Sequence, residues 1–365
     1  VQRGEPAIFS KFDRARWAIL GGADIVIELP TPYSTGSAQL FGTGAIRMVK
    51  ALAIDALSFG SETTDLDALI DIAKRMDCES TQKQLRTYIN EGMSYGAAFR
   101  KALDTEILNT PNALLGLEYI RAGLAYNSKL EYIPILRTSH HHEETITDEL
   151  PSGTALRQLI TSTGNLSSQF ITSTSILSAQ LQSTIPPLIA SDMIQVIENG
   201  DYVNYNRYHD MVHSLSRRTM PKELEKFGDF SEGIEHLWSK AAQQSSWTAA
   251  TEEIKSKRYT YARLQRMSAY LTLGITKDVL QNAMEEGPQY ARLLAFNDRG
   301  RQWLRNKYEI PVIQKWAKAP NELGALGRTM HSIDTLATDI QALCFHNESH
   351  RIGHRDYTYT PQYVK

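Results

Sequence analysis

Cysteine is nearly absent: Cys78 and Cys344 are the only two in 365 residues. Two thiols so far apart exclude a disulfide framework and a cysteine-rich zinc site. No run of about 18 apolar residues occurs, so no transmembrane helix is expected. A charged-then-apolar leader is also missing, which gives a cytoplasmic expectation. Charge of one sign is lacking as well. Lys and Arg number 39 against 41 Asp and Glu, a net charge of −2, so any polyanion must be met by a local patch. There is no G-x-S-x-G elbow, Walker A loop, G-x-G-x-x-G or H-E-x-x-H. Motif support for those hydrolase, P-loop, dinucleotide and zincin chemistries is therefore absent. The sequence opens at Val1 with text that reads as the middle of a fold, so a preceding segment is expected.

What is present alternates between strand and helix. Ser10–Leu20 reads as a helix capped by Ser10 and stopped by Gly21-Gly22. Ala23–Pro30, Ala56–Gly60 and Tyr132–Arg137 read as strands. Apolar spacing predicts helices over 37–52 and 66–76, between Thr81 and Leu103 with Gly92 and Gly96 as candidate interruptions, and after Pro111. Ser152–Ile160 begins with a good cap. Together these predict an α/β domain with a mostly parallel sheet over residues 1–165. The stretch 161–184 is rich in Ser and Thr and ends at Pro186-Pro187, which reads as a linker. Residues 166–365 are then expected to form a mainly helical region. Strand signals nearly vanish before Asn306, Ile310–Ile313 and Ala337–Cys344 read as short strands or a helix, and the tail is extended.

In open α/β sheets ligands lie beyond the carboxyl ends of the strands. Reading past each strand picks out Pro30, Gly60-Ser61-Glu62 and Arg137-Thr138. Gly60 admits a close backbone approach, and Arg137 suits a two-pronged phosphate contact. The plain alternatives are a glycine that merely turns the chain and an arginine paired with a carboxylate. Ser152–Arg157 offers a helix start to an anion, or only a cap. In His140-His141-His142-Glu143-Glu144, alternate side chains share a face, so His140 and His142 could converge. No convincing partner set follows, and no metal site is expected.

The second region is locally basic. Residues 251–320 hold 13 Lys/Arg and 7 Asp/Glu, a net of +6, so the remainder must sum to −8. Lys255–Arg266 has five basic side chains, no acidic ones, and Tyr259 and Tyr261. On a helix Tyr259, Arg263 and Arg266 would share one side, suiting base stacking and phosphate contact. A solvated face with half-buried tyrosines is the alternative. Arg292, Arg299, Arg301 and Arg305 would extend the patch.

Several segments then fall in a familiar order: Gln2–Ala7, Gly22–Pro30, Phe59-Gly-Ser-Glu62, Pro111-Asn112 with Leu115-Gly116, and Lys257-Arg-Tyr-Thr260 with Arg263-Leu264. Together they resemble the bacterial tRNA(Met) cytidine acetate ligase family over nearly the whole chain. The resemblance implies a nucleotidyltransferase-like (Rossmann-like) domain and a helical tRNA-binding region. It implies an ATP-dependent ligase that forms acetyl-adenylate from acetate and ATP. The acetyl group then passes to N4 of the wobble cytidine of elongator tRNA(Met). Gly60, Asn112, Arg137 and Thr138 would hold ATP, with Mg²⁺ on its phosphates left open. Lys257, Arg258, Arg263 and Arg266 would face tRNA; neither DNA nor a membrane is implied as a partner.

Three departures stand out. Ala113 replaces the family's second Asn, and His141-His142-Glu143 stands where Tyr-His-Asp is usual. The family's opening strand and Asn-Pro-Phe-His-x-Gly-His segment are not in this sequence, so low activity of this polypeptide is expected and no catalytic residue is assigned. Two rival expectations are an adenylyltransferase for a small metabolite and a non-catalytic RNA-binding protein on a decayed fold.

Overall fold

The computed structural model describes residues 4–126, 128–137, 153–163, 170–256 and 258–365. Local punctuation sets many boundaries. Ser10 Oγ accepts the Asp13 amide at 3.1 Å, and the helix Lys11–Leu20 ends at Gly21. Asp65 Oδ1 does the same for Ala68 at 3.0 Å, opening the helix Leu66–Met76. The helix expected between Thr81 and Leu103 is two, Glu79–Asn90 and Tyr95–Leu103. Gly92, at φ +91°, makes the break, whereas Gly96 lies inside the second helix.

The strands are β1 (Ile25–Glu28), β2 (Ala56–Ser61), β3 (Glu131–Leu136), β4 (Ala291–Phe296), β5 (Val312–Ile313) and β6 (Gln362–Tyr363). Among the described residues they form two sheets, not one. β2 and β3 pair in parallel from Ala56↔Glu131 to Ser61↔Leu136. β1 departs from the expectation of a shared parallel sheet: it runs antiparallel to β4, with β5 and β6 parallel to β4. The sheet on β4 thus joins the beginning and the end of the chain.

β4 itself corrects the helical reading of that stretch. Five of its six residues are buried in a row, and such a run carries no period that separates strand from helix. Arg292 within it does not extend a basic surface. It is 3% exposed, with its guanidinium 2.8 Å from Asp356 and 3.3 Å from Glu28. Lys11 joins this buried cluster at 2.9 Å from Glu28 and 3.1 Å from Asp356.

The linker reading also gives way. Residues Phe170–Thr184 form a helix, and Leu177 and Leu181, one turn apart, are buried against Phe9, Trp17 and Ile160. Ala337–Cys344 is mostly the end of the long helix Ala325–Leu343, and the tail holds a short helix, Arg355–Thr358, before β6. Separate apolar cores lie around Trp238 and Phe230, and around Phe99 and Leu117 beneath β2. Among the described residues no helix is long and apolar enough to cross a membrane.

Candidate active site

Parallel pairing brings the carboxyl ends of β2 and β3 side by side. The Arg137 amide donates to Ser61 O at 2.9 Å, continuing the ladder one residue past β3. The Arg137 side chain lies back over Gly60, where a Cβ would stand 3.3 Å from Arg137 Cδ. Gly60 therefore leaves room for this arginine. Among the described residues Arg137 has no ion-pair partner, so the alternative of an arginine neutralised by a carboxylate is not what the fold shows.

The helix Pro111–Ala125 delivers the third residue. It lies so close to β2 that a Cβ on Gly116 would be 2.5 Å from the Phe59 ring. Pro111 suits the first helical position, where no amide partner is needed. The next residue, Asn112, then faces the end of β2. Asn112 Nδ2 donates to Glu62 Oε1 at 2.7 Å, and the Ala113 amide donates to Glu62 Oε2 at 2.9 Å. Burial alone would raise the Glu62 carboxyl. The hydrogen bonds from Asn112, its own backbone, Thr110 and Ala113 outweigh that and hold it below its ordinary value. Glu62 is the site residue to which sequence reasoning gave no role. Its position one residue beyond β2 was the available signal; its tie to Asn112, 50 residues away, was not.

Thr138, His140, His142 and Ser152 lie outside the described residues, as does Lys257. Arg157, in the helix Gly153–Thr163, donates to Thr154 Oγ1 at 3.3 Å. Among the described residues no group of three His, Cys, Asp or Glu side chains is placed to hold a metal ion.

The basic stretch is less free than its composition suggests. The helix there starts at Tyr261, so Tyr259 precedes it and does not share its face. Tyr259 is 9% exposed, beneath the guanidiniums of Arg263 at 5.1 Å and Arg258 at 5.9 Å. Arg258 pairs with Glu232, Arg263 donates to Asp229 O at 2.9 Å, and Arg266 pairs with Asp229 at 2.9 Å. Asp229 sits at φ +63°, in the turn that aims it at both arginines. Tyr261, 46% exposed, is the solvent-facing tyrosine of this stretch. Arg299 and Arg301 are exposed at the opening end of β1, where the Asn297 amide donates to Asp24 O at 3.0 Å.

A cavity of about 430 Å³ lies elsewhere, lined by Lys11, Arg14, Glu28, Thr31, Asp334 and Gln341 among others. It includes none of Gly60, Asn112 and Arg137. Its Asp334 accepts Thr31 N and Tyr290 Oη, each at 2.6 Å, and burial pushes its carboxyl up. These contacts bind the long C-terminal helix to the segment after β1.

Residues 1–356 match the HIGH nucleotidyl transferase family. A tRNA(Met) cytidine acetate ligase of Acetivibrio thermocellus is 30% identical over 98% of this chain and 89% of its own. That of Alkaliphilus metalliredigens is 32% identical over 100% of this chain and 90% of its own. The chain belongs to the tRNA(Met) cytidine acetate ligase family. Family members are ligases by name, and the nucleotidyltransferase-like α/β fold is shared with solved structures. Apo Thermotoga maritima TmcAL superposes with a TM-score of 0.91 at 26% identity, covering 100% of this chain and 90% of that one. The same protein bound with alpha-thio ATP gives 0.88 at 26% identity, over 99% and 89%.

Proposed function

We propose that this chain binds ATP at the carboxyl ends of β2 and β3 and uses it to activate acetate. Gly60, Asn112, Arg137 and Thr138 would hold the nucleotide. The step is attack of the acetate oxygen on the α-phosphorus, with pyrophosphate leaving, to give acetyl-adenylate. The N4 amine of the wobble cytidine of elongator tRNA(Met) then attacks the acetyl carbon and releases AMP. Such chemistry asks the protein for positioning and charge stabilisation rather than a covalent nucleophile. The nucleotide would be held by residues 1–165 and the tRNA by 166–365, with Lys257, Arg258, Arg263 and Arg266 against phosphates, in the cytoplasm.

The observation that carries the reading is the gathering of Gly60, Asn112 and an uncommitted Arg137 at one end of a parallel pair, in a chain similar to these ligases end to end. The test is incubation of protein expressed from its complete coding region with ATP, labelled acetate and tRNA(Met). Label in N4-acetylcytidine with equal AMP release is expected. Label in a small adenylylated product, with tRNA untouched, would favour the second reading, an adenylyltransferase for a metabolite. One observation favours that alternative: Arg258, Arg263 and Arg266 are all engaged within the protein.

A further inference from the structure

The contact between Glu62 and Asn112 has a direction. A carboxylate only accepts, so the amide group at 2.7 Å from Glu62 Oε1 must be the Nδ2 end of Asn112. The second carboxylate oxygen takes the Ala113 amide at 2.9 Å, which fixes Glu62 against the first turn of the helix Pro111–Ala125. Asn112 cannot turn over without setting its carbonyl against a carboxylate. Its Oδ1 is left pointing away, with no hydrogen-bond partner among the described residues, on a side chain that is only half buried. The outward group is thus an acceptor and nothing else.

We propose that Glu62 is a positioning residue that sets the base preference of the site: by taking Asn112 Nδ2 it leaves Oδ1 to accept from the 6-amino group of a purine. This rests on the reading that Asn112 contacts the nucleotide. The chemistry narrows the partner within ATP. Phosphate oxygens only accept and cannot pair with Oδ1. Ribose hydroxyls can also donate to Oδ1, but they are the same in ATP and ITP, so such a contact would leave the two nucleotides bound equally. The amino group only donates, and its 6-oxo counterpart only accepts. A site built in this way admits a 6-aminopurine and leaves Oδ1 facing another acceptor when a 6-oxopurine enters.

Glu62→Gln should reverse the preference. The carbonyl of the introduced glutamine is held by the Ala113 amide, so its NH₂ faces Asn112, whose amide turns to accept with Oδ1 and present Nδ2 outward. The experiment is calorimetric titration of ATP and ITP into the wild-type chain, E62Q and N112A, with thermal melting of each. ITP isolates the change at position 6. The wild type should prefer ATP by about tenfold, E62Q should lose or invert that ratio, and N112A should abolish it. If Glu62 merely caps the helix, E62Q loses stability but keeps the wild-type ratio of ATP to ITP affinity, and that unchanged ratio overturns the proposal. Equal wild-type affinities for ATP and ITP overturn it too. An N112A protein that binds ATP as the wild type does removes the underlying placement of Asn112, and the proposal falls with it for that separate reason.

Discussion

Two groups of arginines show how differently a fold can treat the same side chain. Arg137 leaves the end of β3 with its amide in the ladder and its guanidinium without a carboxylate among the described residues. Arg258, Arg263 and Arg266 come from a stretch without an acidic residue, yet Glu232 and Asp229 arrive from a distant turn to meet them. Local charge in a sequence therefore does not measure free charge on a surface. Arg137 can meet a phosphate at once. The other three must exchange a partner: Arg258 leaves an exposed pair, worth only about 0–1 kcal/mol, whereas Arg266 leaves a half-buried carboxylate and Arg263 a backbone carbonyl. On the proposed reading, the nucleotide contact at Arg137 should be the stronger one and the RNA contact the more salt-sensitive.

The largest expected effect is at Arg137. Arg137→Ala removes the guanidinium proposed to meet the phosphates and should weaken ATP binding by roughly 10- to 100-fold in calorimetry. The melting temperature should barely move, because the side chain is not paired within the protein. Gly60→Val should follow at about tenfold, since its side chain displaces Arg137 from the place it now occupies. An unchanged affinity in G60V would show that Arg137 reaches the nucleotide by another path.

The basic stretch gives smaller numbers. Arg266→Ala should lower tRNA affinity by a few-fold and reduce the slope of log K against log salt by about one, with ATP binding intact. Asp229→Asn sharpens the comparison from the other side. It frees Arg266 while the carbonyl contact to Arg263 persists, so tRNA should bind about two- to fivefold tighter in filter-binding titrations. Weaker binding in D229N would mean that the turn, rather than the charge, serves the RNA.

The smallest effect is a pH dependence at Glu62. Its folded-state carboxyl lies below the ordinary value, so its contribution to stability is present above about pH 4.5 and is lost as pH falls through the lower folded value. The stability difference between the wild type and E62Q should hold constant from pH 6 to 8 and shrink only in acid. Denaturant titrations across that range measure it.

The parts of this molecule legible in its sequence are those set by neighbours along the chain. Ser10 and Gly21 announce helix ends because capping is local. Gly60 and Arg137 were legible because parallel strands place their ends together. β4 was not, because Ala-Arg-Leu-Leu-Ala-Phe is buried on both faces and has no alternation to show it. The placement of β1 against β4, the hold of Glu62 on Asn112, and the pairing of Asp229 with Arg266 all join residues remote in sequence. No spacing rule reaches them. The family resemblance supplied the ligands and the fold; the partners of each arginine had to come from the structure.

The central claim is that nucleotide and RNA are held by separate groups of cations. The direct test is paired titration of ATP and tRNA(Met) into the wild type, R137A and the triple variant R258A/R263A/R266A, at one fixed salt concentration. The account predicts that R137A loses ATP and keeps tRNA, while the triple variant loses tRNA and keeps ATP. A triple variant that loses ATP, or an R137A protein that keeps ATP and loses tRNA, would contradict it.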